Sequence, residues 1–272
     1  MNEIIIEPNK GIKHFWQELW AYRELFYFLA WRDILVRYKQ TALGITWSVL
    51  RPLLIMTVFT IVFGKIAKLP SGNAPYPILV FAALLPWQFF SNTLSESGNS
   101  LVANSNMIAK IYFPRIIIPS TPIVVGLIDF CISFCILAVL IVWYGFYPDW
   151  KILVLPLLLA LAALTSLGAG YWISAMNVKY RDFKYILPFI IQFGLYISPV
   201  GFSSEIVPEK WRLLYSLNPM VGVIDGFRWA ILGKDITLYL PGFILSICLT
   251  LLLFVSGARF FYKTERKFAD II

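Results

Sequence analysis

Long apolar runs separated by short polar stretches dominate the chain. Six of them, at 42–64, 76–96, 117–147, 151–176, 184–202 and 239–262, are long enough as helices to cross ~30 Å of hydrocarbon, with 184–202 close to the minimum. A chain in lipid must satisfy its backbone hydrogen bonds within each segment, which favours helices. A β-barrel would show ten-residue segments of alternating hydrophobicity, and none is visible. The pattern predicts an all-α polytopic membrane protein with six transmembrane helices.

Three segments have a different pattern. In 12–40, Phe15, Leu19, Tyr22, Phe26 and Leu29 recur at spacings of three and four, a single helical stripe, among Arg23, Glu24, Arg32, Asp33, Arg37 and Lys39. With Trp16, Trp20 and Trp31 nearby, this predicts an N-terminal amphipathic helix lying at the inner membrane interface. Segment 100–114 has a semi-apolar middle closed by Pro114 and Arg115. Such a short projecting helix suits a groove on a soluble partner, and equally suits an ordinary connection. Segment 204–236 mixes Ile, Leu, Trp and Phe with Glu, Lys, Arg and Asp, punctuated by Pro208, Pro219 and Gly233. It predicts short external helices between spans five and six, re-entrant or capping, since re-entry needs a backbone shielded by protein or facing water. Residues 263–272 form a polar tail.

Composition agrees with a lipid solvent. The chain is 59% hydrophobic, 17% aromatic and 14% charged, where soluble domains are about half apolar and a quarter charged. The net charge of +8 is topological and does not point to nucleic acid: of the 23 Lys and Arg, 16 fall on the side that holds both termini. That bias predicts both ends in the cytoplasm and a multi-pass protein of the inner (plasma) membrane. Two charges lie within spans, Arg51 and Asp129. Similar depths would let them pair, although Arg51 near the inner headgroups is also free to snorkel. Ala162, Ser166, Gly170 and Ser174 form a small-residue ridge for close helix packing within the chain.

Catalytic signatures are missing. There is no phosphate-cradling G-x-x-x-x-G-K-[ST]; Gly233-Lys234 is followed by Asp235. The lone His14 has no Cys/His cluster around it, so no metal or other cofactor is expected in this chain. Nothing in the spacing of the external acids Asp149, Glu205, Glu209, Asp225 and Asp235 favours an acid/base pair over solvated loop charge, which counts against a membrane-embedded glycosyltransferase. A secondary carrier would place several ionisable groups at midplane. Energy is expected to come from another chain.

Several stretches resemble the transmembrane (permease) subunit of ABC type-2 polysaccharide exporters, the O-antigen and teichoic-acid type. They are Arg32 through Gly44 leading into Trp47 and Pro52, Asn104 through Arg115, Ser198-Pro199-Val200, Asn218-Pro219-Met220 before Asp225 and Arg228, and Phe261 through Asp270. The resemblance implies a homodimer with two copies of an ATP-hydrolysing subunit that binds ATP and Mg, moving a lipid-linked polysaccharide outward. It makes 100–114 a cytoplasmic coupling helix, with Asn104, Met107, Ile108, Lys110, Ile111, Phe113, Pro114 and Arg115 as partner-coupling residues. Candidate substrate-pathway aromatics are Trp47, Phe59, Trp87, Phe90, Phe193 and Tyr196. Asn218, Pro219, Asp225, Arg228 and Trp229 are candidates for an external gate. An exporter of a drug or simple lipid would share this topology without needing an aromatic track.

Overall fold

The computed structural model describes residues 20–39, 44–70, 74–180, 182–233 and 236–265, except the side chains of 44 and 45. Residues 12–19 of the expected amphipathic helix, with Phe15, Trp16 and Leu19, lie outside the described residues, as do His14 and 266–272 of the tail. All regular structure among the described residues is helical. In chain order the helices are α1 (Arg23–Lys39), α2 (Gly44–Phe59, continued by a π-helical stretch Thr60–Ile66), α3 (Tyr76–Ala103), α4 (Ser105–Ile108), α5 (Ile117–Ser120) and α6 (Pro122–Trp143). A 3-10 stretch Trp150–Val154 leads into α7 (Leu155–Lys179), followed by α8 (Phe183–Ile197), α9 (Glu209–Tyr215), α10 (Pro219–Leu232) and α11 (Leu240–Glu265).

Among the described residues, five stretches are long and apolar enough to cross a membrane: Thr46–Ile66, Tyr76–Ala103, Ile117–Trp143, Trp150–Lys179 and Leu240–Glu265. The sixth expected span, 184–202, contains a helix of only 15 residues, α8. That is about 22 Å at 1.5 Å per residue, short of the hydrocarbon thickness. Ser198 ends it in an extended conformation because Pro199 disfavours the helical region for the residue before it.

α3 is the central post, buried for most of its length against α6, α7 and α10. The small-residue ridge of α7 does pack within the chain: Ala162, Ser166 and Ser174 are fully buried, a Cβ on Gly170 would strike Ser97 of α3, and Asn177 Nδ2 donates to the Gly98 carbonyl at 3.1 Å. A second face of α7 meets α11 backbone to backbone. A Cβ on Gly168 would lie 2.7 Å from Phe254 Cα. Thr165 and Thr250 hydroxyls bond across the same seam at 3.0 Å.

One cluster of buried side chains unites α3, α6, α7 and α10. A second, smaller one lies at the end carrying α1, α4 and the far ends of α7 and α11. There the sequence stripe is visible: Leu29 is buried and Tyr22 and Phe26 pack on the cluster, while Trp20, Tyr27, Phe28 and Trp31 form an exposed aromatic outer face on α1 and the turn before it.

Candidate functional site

α1 rests on α2, α5 and α6, and its last turn carries Arg37 and Tyr38 to Asp129 of α6. Arg37 Nη2 lies 2.6 Å from Asp129 Oδ2 and Nη1 lies 3.6 Å from Glu96. Tyr38 donates its hydroxyl to Asp129 Oδ1, and Ser48 Oγ donates to the same oxygen at 3.2 Å. A turn earlier, Asp33 accepts from Thr121 Oγ1 at 3.2 Å. A buried carboxylate needs such partners, since an unpaired charge away from water is costly. Burial first, and then the bond to Asp129, push the Tyr38 phenol above its ordinary range, so it remains a neutral donor at neutral pH.

This network borders a cavity of about 340 Å³ between α1, α2, α3 and α6. Arg51 lines the cavity, but among the described residues no ion pair joins it to Asp129. Asp129 pairs instead with Arg37, on a helix too polar to cross. The same wall carries Gln88 and Asn92, which pattern reading passed over because single amides in an apolar run leave no periodic signal.

At the opposite end, α10 is buried on nearly every face among α3, α7 and α11. Asn218 caps it, accepting from the Met220 N–H at 3.0 Å and donating to Ser198 Oγ at 2.9 Å, and Pro219 takes the first helical position where its missing N–H is harmless. Arg228 is 1% exposed. Its guanidinium donates to the carbonyls of Leu79 at 3.2 Å, Phe202 at 2.6 Å and Val200 at 2.9 Å. It thus clips α10 to the start of α3 and to the turn after α8. Burial lowers its pKa to about 10, so it stays charged. Burial likewise raises Asp225 to about 6, against the opposing pull of a Ser204 hydrogen bond and the Arg228 charge. The expected gate residues Arg228, Asn218 and Pro219 are therefore bonded or packed inside the fold. Trp229 is half-buried, with Lys151 Nζ 4.9 Å from its ring.

The 104–115 segment is shorter in its helix than expected. α3 runs on to Ala103 with no breaker before Asn104, leaving only Ser105–Ile108 as α4. Ile108 and Phe113 are buried in the smaller cluster, half-buried Met107 packs on it, and Pro114 is half-buried. Arg115 donates its backbone N–H to Glu265 Oε1 at 2.6 Å and its guanidinium to the Glu265 carbonyl at 2.8 Å. Ile111 and Tyr112 are 60% and 67% exposed, and Lys110 is exposed beside them. Two of the six candidate aromatics, Phe59 and Trp87, are core residues; Trp87 leans on half-buried Phe90, ring centroids 5.5 Å apart. Trp47, Phe193 and Tyr196 are exposed.

The sequence model of the ABC-2 type transporter family matches residues 24–232, from α1 to the end of α10. The chain belongs to this family. Relatives include the O-antigen export system permease protein RfbA of Myxococcus xanthus, 29% identical over 214 residues, 78% of this chain and 82% of the relative. A protein of the same name from Klebsiella pneumoniae is 28% identical over 251 residues, 89% and 92% of the two chains. The polysialic acid transport protein KpsM of Escherichia coli is 24% identical over 206 residues, 74% and 78%. Family membership and the long apolar helices make the chain a multi-pass inner-membrane transport subunit, and ABC-2 permeases imply an ABC ATPase as partner. In this segment the Lys110–Tyr112 tip is exposed while Phe113 beneath it is buried.

Proposed function

We propose that the chain is the membrane-spanning subunit of an ATP-driven exporter that carries a lipid-linked, O-antigen-like polysaccharide from the cytoplasm to the outer face of the inner membrane. The observation that carries this is the match, over 89% of this chain and 92% of the relative, to a protein named as an O-antigen export permease. The chain works as a homodimer with two copies of the ATPase, which holds ATP and Mg; this subunit binds no cofactor. Both termini are cytoplasmic, in keeping with the basic bias of that side. α8 and the turn after it act as the sixth span, bridging the remaining thickness with non-helical chain shielded by α10, which enters from outside.

The exposed tip Lys110–Tyr112 docks in a groove of the ATPase, and Phe113 and Arg115 pass its motion to the ends of α7 and α11. α1 lies along the inner leaflet and admits the lipid-linked chain. Exposed apolar faces on α2 and α8, including Trp47, Phe193 and Tyr196, meet their counterparts across the dimer axis and line the path. Sugar rings stack their CH faces on such aromatics. ATP drives the cycle only through contacts that differ between its two states. Deleting the chain in its host and assaying lipid-linked polymer tests the reading: polymer accumulates inside and disappears from the surface. Unchanged surface polymer refutes it.

A further inference from the structure

The cavity between α1, α2, α3 and α6 holds more hydrogen-bonding capacity than the protein uses. Its walls carry two arginines, Arg37 and Arg51, against one carboxylate, Asp129; Glu96, 3.6 Å from Arg37, lies outside these walls with its side chain exposed. Arg37 is committed to Asp129, while Arg51 is exposed and makes no ion pair among the described residues. The Gln88 amide nitrogen is buried at the cavity without a hydrogen-bond partner among the described residues. A buried donor with nothing to accept from it calls for an explanation. Asn92 lies one turn along the same face of α3 and adds a second amide. The remaining walls are largely apolar, and at about 340 Å³ the space falls within the range of small-molecule sites. Surplus positive charge, an unspent donor and low-dielectric walls favour an anion, and a guanidinium fork matches phosphate oxygens in particular.

We infer that this cavity binds the phosphate-bearing headgroup of the lipid-linked substrate, with Arg51 supplying the open charge, Gln88 and Asn92 the amide donors, and Arg37 a second cation balanced by Asp129. The inference rests on the proposed export of a lipid-linked polymer and names the part of that substrate recognised first. The apolar lipid tail stays outside the cavity, in the bilayer.

The test uses the permease–ATPase complex in detergent, its nucleotide sites filled with ADP, and radiolabelled farnesyl diphosphate as probe. Native complex binds the probe saturably. Arg51→Gln weakens binding about tenfold, the scale of a charge-assisted hydrogen bond lost, and Arg51→Lys restores part of it. Gln88→Leu weakens binding severalfold without lowering thermal stability, because no protein partner is lost. Native-like binding in both Arg51→Gln and Gln88→Leu overturns the inference, as does farnesol competing as well as the diphosphate. Inorganic pyrophosphate competing as well as farnesyl diphosphate assigns the cavity to a free anion, and phosphatidylglycerol doing so assigns it to bulk lipid; either result overturns the substrate assignment. The assay contains no polysaccharide, so its failure leaves the export proposal standing, and failure of export leaves the binding result intact.

Discussion

Replacing Arg228 by Met separates a clamp from a gate. The substitution keeps an unbranched apolar stem in a site where the native residue is 1% exposed, and removes the donors. The Leu79 carbonyl sits within α3, but those of Val200 and Phe202 lie in the irregular turn after α8, where the guanidinium reaches them at 2.9 and 2.6 Å. An unpaired buried acceptor costs about 1–3 kcal/mol, the full range for the buried Val200 carbonyl and the lower part of it for the part-buried Phe202 carbonyl. Asp225 also loses a neighbouring positive charge that favours its ionised form. The total is on the order of 3–5 kcal/mol, the scale of breaking a buried charged contact from one side. Arg228→Lys recovers part, since a point charge cannot serve three carbonyls at once. The assay is thermal unfolding of the detergent-solubilised complex, followed by loss of the monodisperse species. A melting temperature equal to the native one in Arg228→Met, with export abolished, refutes the clamp and returns Arg228 to a gating role.

Three further outcomes follow from the geometry. Gly168→Val drives a side chain into the backbone of α11 at Phe254; overpacking of this kind costs about 1–3 kcal/mol or more, read as a lowered melting temperature, and a native-like temperature contradicts the close seam. Burial holds the Asp225 carboxyl at about 6, above an unfolded value of about 3.9. Its contribution to stability is therefore full below about pH 4 and is lost as pH rises through 6. Asp225→Asn flattens the fall in melting temperature across that window, and an unchanged slope contradicts the assignment. In the 104–115 segment, Phe113→Ala costs about 3–5 kcal/mol of stability, whereas Ile111→Asp leaves stability unchanged and uncouples ATP hydrolysis from export. The reverse pattern would exchange the anchor and the contact surface.

The long helices were legible because lipid imposes one demand along their whole length, and five of the six expected runs became helices long enough to span. α8 fell short for a local reason, Pro199, whose effect on Ser198 is also written in the sequence but was outvoted by the apolar run around it. By pattern alone Arg37 belongs to the polar surface of an amphipathic helix. Nothing local in 12–40 tells which cation turns inward, because that depends on Asp129, 92 positions away on α6. Arg228 stands out as a lone cation in an apolar helix, yet its role as a three-carbonyl clip depends on a turn and a helix start 26 and 149 residues distant. Phe113 and Tyr112, adjacent and both aromatic, differ only in which side of a short turn they occupy. Hydrophobic pattern fixes which elements exist; the partners of isolated charges and single aromatics emerge only from packing.

The central claim, ATP-driven outward movement of a lipid-linked polysaccharide, is tested most directly in proteoliposomes containing the permease and its ATPase, oriented with the ATPase outside. Lipid-linked polymer added to the outer leaflet should become protected from an external glycosidase when ATP is supplied. Protection should be absent with a non-hydrolysable ATP analogue and with Ile111→Asp permease. Protection that develops equally without ATP, or a complex that hydrolyses ATP while the polymer stays fully digestible, would contradict the account.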